Sequence, residues 1–142
     1  MKKYKFIENE AIADIAFEAY GKDLNELFEN SALAVFESSA EIKTIKPKIK
    51  KEIRLSNEKI DDLLFDFLSE IIYLKDKDSV IFSKSMVNIE ENKKYKLTAV
   101  LEGENINQEK HTLLNDVKAV TLHLFKVEKI KDQWRAHIIL DI

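Results

Sequence analysis

A chain of 142 residues, 45% hydrophobic and 35% charged, is long enough to bury a core of its own and too apolar to be disordered. No apolar run approaches the ~20 residues of a membrane-spanning helix, and the lysines of MKKYKFIENEA lead into acids instead of an apolar stretch, so neither an anchor nor a secretory leader is expected. The net charge of −3 argues against unaided binding of nucleic acid, and the lack of cysteine rules out disulfides and thiolate chemistry, so a single cytoplasmic domain over residues 1–142 is expected.

Along the chain, Ile15, Phe17 and Ala19 alternate with Asp14, Glu18 and Tyr20, the pattern of a half-buried strand, which Gly21 closes. Asp23 is placed to cap a helix whose stripe is Leu24, Leu27, Phe28, Ser31, Ala32 and Val35. The segment KTIKPKIKKEIR then leads into a strand over residues 48–55 and carries Lys43, Lys46, Lys48, Lys50, Lys51 and Arg54. Those cations fit either a solvated edge that lysines keep from aggregating or a patch for an anionic partner. Ser56 or Asn57 is expected to cap a second helix, with Ile60, Leu63, Leu64, Phe67, Leu68 and Ile71 on one face and LKDKDS at its end.

Val80 with Phe82, then Val87 with Ile89, show strand alternation, and NKK turns the chain into a face of Tyr95, Leu97, Ala99 and Leu101. Residues 103–115 read as a polar loop. From Val117 to Val127 both parities are largely apolar, which predicts a central strand covered on both faces. After KIKDQ, Trp134, Ala136, Ile138 and Leu140 oppose Arg135, His137, Ile139 and Asp141 in a last strand. Strands surround two amphipathic helices without regular alternation. The expected class is α+β, a mainly antiparallel sheet system packed with two helices.

Catalytic motifs are scarce. The two glycines, Gly21 and Gly103, stand too far apart to build a P-loop and are too few for a dinucleotide fingerprint, and His111, His123 and His137 include no His-x-x-x-His pair. No nucleophile–base pair is visible, so no catalytic residue is assigned. His123 shares its strand parity with Thr121 and Phe125 and reads as a satisfied structural histidine. Asp14 and Asp141 are more informative, because each sits in apolar, strand-like sequence. A carboxylate there must be solvated, hydrogen-bonded, paired with a cation or bound to a metal. Asp141 and the carboxylate of Ile142 would bring two anionic groups within reach of one ion, and hard oxygen donors suit Ca²⁺ or Mg²⁺. The stretch NQEKH followed by DVKAVT gathers Lys110, His111, Asp116 and Lys118 at a strand entrance. It is either an exposed polar loop or a surface that receives a phosphate or a protein.

The stretches ADIAFEAYGKDLNELFENSALAVF, EKH with DVKAVTLHLFKVEK, and WRAHIILDI together resemble the archease family, over nearly the whole chain from Asp14 to Ile142. The resemblance implies a small α+β protein that is not itself an enzyme. It implies a partner, the RtcB-type RNA ligase that joins tRNA exon halves. The protein would speed guanylylation of a ligase histidine by GTP, restore multiple turnover and broaden nucleotide use. tRNA would be met only through the ligase. It also implies a divalent metal, usually calcium with magnesium or manganese as alternatives, held at Asp14, Asp141 and Ile142. Lys110, His111 and Lys118 are then the expected partner-facing groups. The alternative is a chaperone-like stabiliser of an RNA-modifying enzyme such as a tRNA methyltransferase. One departure stands out: where the family reads His-Thr-Ala-Asp, this chain has Ala11, Ile12, Ala13 and Asp14. Leu122 likewise replaces a tyrosine that commonly precedes the histidine at 123.

Overall fold

Alternating apolar residues can be buried only if something covers their face, and in this protein two sheets share two helices for that purpose. The computed structural model describes residues 2–8 and 13–142. Strands β1 (Tyr4–Ile7), β2 (Asp14–Gly21), β6 (Ala119–Ile130) and β7 (Gln133–Asp141) form an antiparallel sheet in the order β1-β2-β7-β6. Strands β3 (Ile49–Asn57), β4 (Val80–Glu91) and β5 (Tyr95–Asn105) form a second antiparallel sheet in the order β3-β5-β4. Helix α1 (Leu24–Ser39) packs on β2 and β4, and helix α2 (Ile60–Asp78) on β3 and β6, so each helix touches both sheets. The class is α+β, as expected. No helix among the described residues is long and apolar enough to cross a membrane.

The predicted stripes supply the core. Phe17 of β2, Phe28 of α1 and Phe67 of α2 are fully buried, and the rings of Phe28 and Phe67 stack with centroids 5.7 Å apart. Burying one such side chain contributes about 1.5–3 kcal/mol. Asp23 caps α1 by accepting the Glu26 N–H at 2.8 Å, while Glu26 reaches back to the Lys22 N–H at 3.2 Å, so acid side chains satisfy two donors at the helix start.

The helices also close two sheet edges. Glu29 and Asn25 of α1 accept the N–H groups of Val87 and Ile89 on β4, at 2.9 and 2.8 Å. Asp61 of α2 accepts the Val127 N–H on β6 at 3.2 Å. Side chains thereby occupy donors that an added strand would need. Both glycines sit where backbones approach closely: a Cβ at Gly21 would collide with the Leu27 backbone, and one at Gly103 with Ile81 O beside the irregularity of β4.

Several expectations need correction. The sequence pattern places no strand at Tyr4–Ile7, where β1 runs. β3 continues to Asn57, so Ser56 and Asn57 belong to the strand, and α2 begins after Lys59 with no side-chain cap. The helix runs through the charged KDKD segment to Asp78 and stops at Ser79, whose φ is 52°. The two short apolar alternations after α2 are one strand, β4, with a register shift between Phe82 and Lys84. The largest correction concerns β6. It is an edge strand, not a central one, and its second apolar parity is not covered: Leu122 and Leu124 are 71% and 64% exposed. Periodicity counted apolar residues there but could not see that the strand buckles between Thr121 and Lys126.

Candidate functional site

The end of the four-stranded sheet brings Asp14 and Asp141 together. They are register partners across β2 and β7, and Ala119 of β6 flanks Asp141 on its other side. In a strand, residues two apart share a face. Asp14 therefore lies on the face of Ala16, Glu18 and Tyr20, and Asp141 on that of Ile139, His137 and Arg135. The opposite face carries buried Phe17, Ala19, Ala136, Ile138 and Leu140. Directly opposed residues of an antiparallel pair have Cβ atoms ~4.5–5.5 Å apart, and like charges so placed repel. Among the described residues neither aspartate takes part in a salt bridge.

Backbone bonds fix this end. The Ile142 N–H donates to Ala13 O at 2.9 Å, and the Lys118 N–H donates to Asp141 O at 2.8 Å. Lys118 is exposed and precedes Ala119, the β6 register partner of Asp141. Asp14 lines an open recess of ≈370 Å³ with Ile7, Glu8, Ala16, His123, Leu124, His137 and Ile139. His123 is exposed in it, contrary to the satisfied structural histidine expected. Among the described residues no three His, Cys, Asp or Glu side chains converge as a metal-binding group. A metal at this end would rest on two side-chain carboxylates and on oxygens from elsewhere. Ala11 and Ile12 lie outside the described residues.

Lys110 and His111 do not join this end. They belong to a second acidic centre built around Glu104, at the close of β5. Glu104 accepts the Lys46 N–H and the Lys110 ammonium, each at 2.6 Å, and its Oε1 lies 3.1 Å from His111 Nε2. The Asn107 N–H donates to His111 Nδ1 at 3.0 Å, so the neutral ring keeps its proton on Nε2 and donates it to Glu104. The His111 side chain has no solvent exposure, and Glu104 is buried. The Lys110 bond, then the Lys46 N–H and His111, hold the Glu104 carboxyl down to about 2. The expectation of a partner-facing His111 is therefore corrected. His111 is buried with both ring nitrogens hydrogen-bonded, and Lys110 is committed to the same carboxylate.

This centre anchors the segment between β5 and β6. Its backbone is tied to the end of α1, by Leu114 N–H to Ser39 O at 2.9 Å and by Glu41 N–H to Thr112 O at 2.9 Å. Lys75 of α2 holds the far end through Asp116 at 3.1 Å and Val117 O at 3.0 Å. Lys118 thus enters β6 from a fixed position. Sequence reasoning missed Glu104, because an acid read as part of the polar loop 103–115 looks like any solvent-facing residue.

The Archease protein family matches residues 4–142. The chain is 38% identical to the protein archease of Methanosarcina acetivorans, over 99% of this chain and 97% of that one. It is 37% identical to the protein archease of Thermococcus kodakarensis, with full coverage of both. The solution structure of Methanobacterium thermoautotrophicum protein 1598 superposes with a TM-score of 0.88, at 34% identity and with both chains wholly covered. A Thermotoga maritima structure described as "an archease, possible chaperone" shares the fold at a TM-score of 0.64 and 23% identity, over 96% of each chain.

Proposed function

This chain belongs to the archease family, and from that premise we propose that it is a non-catalytic activator of an RtcB-type, GTP-dependent tRNA-splicing RNA ligase. It promotes guanylylation of the ligase's active-site histidine, sustains multiple turnover and broadens nucleotide use. tRNA is reached through the ligase.

The observation that carries this reading is the opposition of Asp14 and Asp141 on one sheet face, with neither in a salt bridge among the described residues. Two facing carboxylates at a solvent-open strand end are costly alone and favourable around a divalent ion. Asp14, Asp141 and the Ile142 carboxylate are hard oxygen donors. They fit Ca²⁺ first, with Mg²⁺ or Mn²⁺ as alternatives, and they leave positions of its ~6–8 oxygen sites open to water or a partner group. When bound, the ion supplies positive potential of the kind that stabilises phosphoryl charge during nucleotidyl transfer. The chain's own residues set the stage for that contact. The Ile142–Ala13 and Lys118–Asp141 backbone bonds hold the strand ends in register.

The test is ligation of tRNA halves by the purified ligase with and without this protein. Product beyond one equivalent of ligase only when the protein is present supports the reading; identical progress curves sink it. A second reading, a chaperone-like stabiliser of an RNA-modifying enzyme such as a tRNA methyltransferase, draws support from the words "possible chaperone" used for the Thermotoga maritima relative. It predicts suppression of heat aggregation of that enzyme, undiminished in Asp141→Asn.

A further inference from the structure

Branched side chains in strands normally face a core, and β6 does the reverse at one place. Thr121 opposes Ile139 and Lys126 opposes His137, so four residues of β6 stand against one of β7. The bulge presents Leu122 and Leu124 at 71% and 64% exposure, more than any other large apolar side chain among the described residues. Leu124 has a φ of 55°, the left-handed region, which a leucine occupies only under strain. The bulge is nevertheless held. His137 Nδ1 lies 3.0 Å from Leu124 O and donates to it, and Phe125 turns inward onto Phe65, edge to face, with centroids 5.6 Å apart.

A single exposed leucine is ordinary. Two of them on a strained and pinned bulge are not, because glycine or asparagine would fit that backbone more easily and polar side chains would be better solvated. Leu124 also walls two neighbouring recesses, the one that holds Asp14 and His123 and another lined by Glu18, Lys126, Glu128, Arg135 and His137.

We propose that the Leu122–Leu124 bulge is an apolar anchor that enters a pocket on the protein partner meeting the Asp14–Asp141 end. The proposal rests on the reading of that end as ligase-facing. Two side chains cover far less than the ~800 Å² per partner of a stable interface, so leucine-to-leucine packing of two copies would not hold. They act as a buried centre within a larger contact, and the shared Asp14 recess makes that contact continuous with the aspartates. His137 is a positioning residue: it fixes the carbonyl of the strained leucine.

The experiment titrates the full chain, as wild type, Leu122→Ser, Leu124→Gly and the double variant, against the purified RtcB-type ligase. It reads both binding and multiple-turnover ligation. Leu124→Gly is expected to keep or raise Tm, since glycine adopts this φ freely, and yet to need about tenfold more protein for half-maximal stimulation. Stimulation at saturation and the metal response of the melt should match wild type, because the aspartates are untouched. Variants that bind and stimulate at wild-type concentrations overturn the anchor while leaving the ligase reading intact. Wild type that neither binds nor stimulates the ligase overturns both. A wild-type dimer in sedimentation that the double variant loses assigns the bulge to a second copy and overturns the proposal.

Discussion

At the end of β5, Glu104 meets a backbone N–H, an ammonium and an imidazole N–H, and it is buried. At the joint end of β2 and β7, two aspartates face each other and take part in no salt bridge among the described residues. Both places put acids beside apolar strand ends. The difference is completeness. Around Glu104 three donors converge on one buried carboxylate, so the centre holds the β5–β6 segment. At the aspartate pair, the same kind of charge is left over. Unneutralised like charge at a fixed strand end is what a cation or a cationic partner group can use.

The sharpest way to break this contrast is to remove each acid. Glu104→Ala leaves the Lys110 ammonium, the Lys46 N–H and the buried His111 ring without their acceptor, and unmet buried donors cost more than the bond itself gained. It should produce the largest fall in Tm of any acid replacement named here, read by thermal melts. Asp14→Ala should leave the metal-free melt unchanged or higher, because it relieves repulsion. Equal losses from the two variants would erase the distinction.

Next in size is the response to metal. A ligand that binds only the folded state adds RT ln(1 + [L]/Kd), about 2.7 kcal/mol at a hundredfold excess. Ca²⁺ or Mg²⁺ should raise the wild-type Tm, and Asp141→Asn should abolish the rise with the fold intact by circular dichroism. A shift that survives Asp141→Asn, or one that Glu104→Gln removes, would place the ion elsewhere.

Acid titration separates the two centres in another way. The folded Glu104 carboxyl lies at about 2, below its ordinary value of 4.5. A depressed acid contributes stability that is complete above the ordinary value and is lost as pH falls from there through about 2. Wild type should therefore lose stability across that window in melts or denaturant titrations, and Glu104→Gln, already weaker near neutrality, should show a flatter acid limb. An identical acid limb in both would mean that the carboxylate is not held in this way.

The smallest effect belongs to Lys48. Its ammonium lies 3.8 Å from Glu104 Oε2 and its side chain is 63% exposed. Lys48→Ala should cost about 0–1 kcal/mol, whereas Lys110→Ala, which removes the 2.6 Å bond, should cost clearly more. Comparable losses would show the centre to be a diffuse electrostatic patch, not a set of directed bonds.

Much of the fold was legible in the residues themselves. The stripes of α1 and α2, the Asp23 cap and the inward faces of β2, β5 and β7 follow from hydrophobic period and local hydrogen bonding, which a neighbourhood of a few residues determines. Asp14 and Asp141 could be picked out the same way, as acids in strand-like sequence. What only the tertiary structure decided is who stands opposite whom. The register that faces Asp14 with Asp141 joins residues at opposite ends of the chain. His111, expected to face a partner, is buried against the Glu104 carboxylate, and His123, expected to be a satisfied structural histidine, is exposed on a buckled edge strand. Period reports which side chains share a face. It carries no information about whether the strand is central or at an edge, and that placement, set by long-range pairing, is why the apolar second face of β6 lies open to solvent.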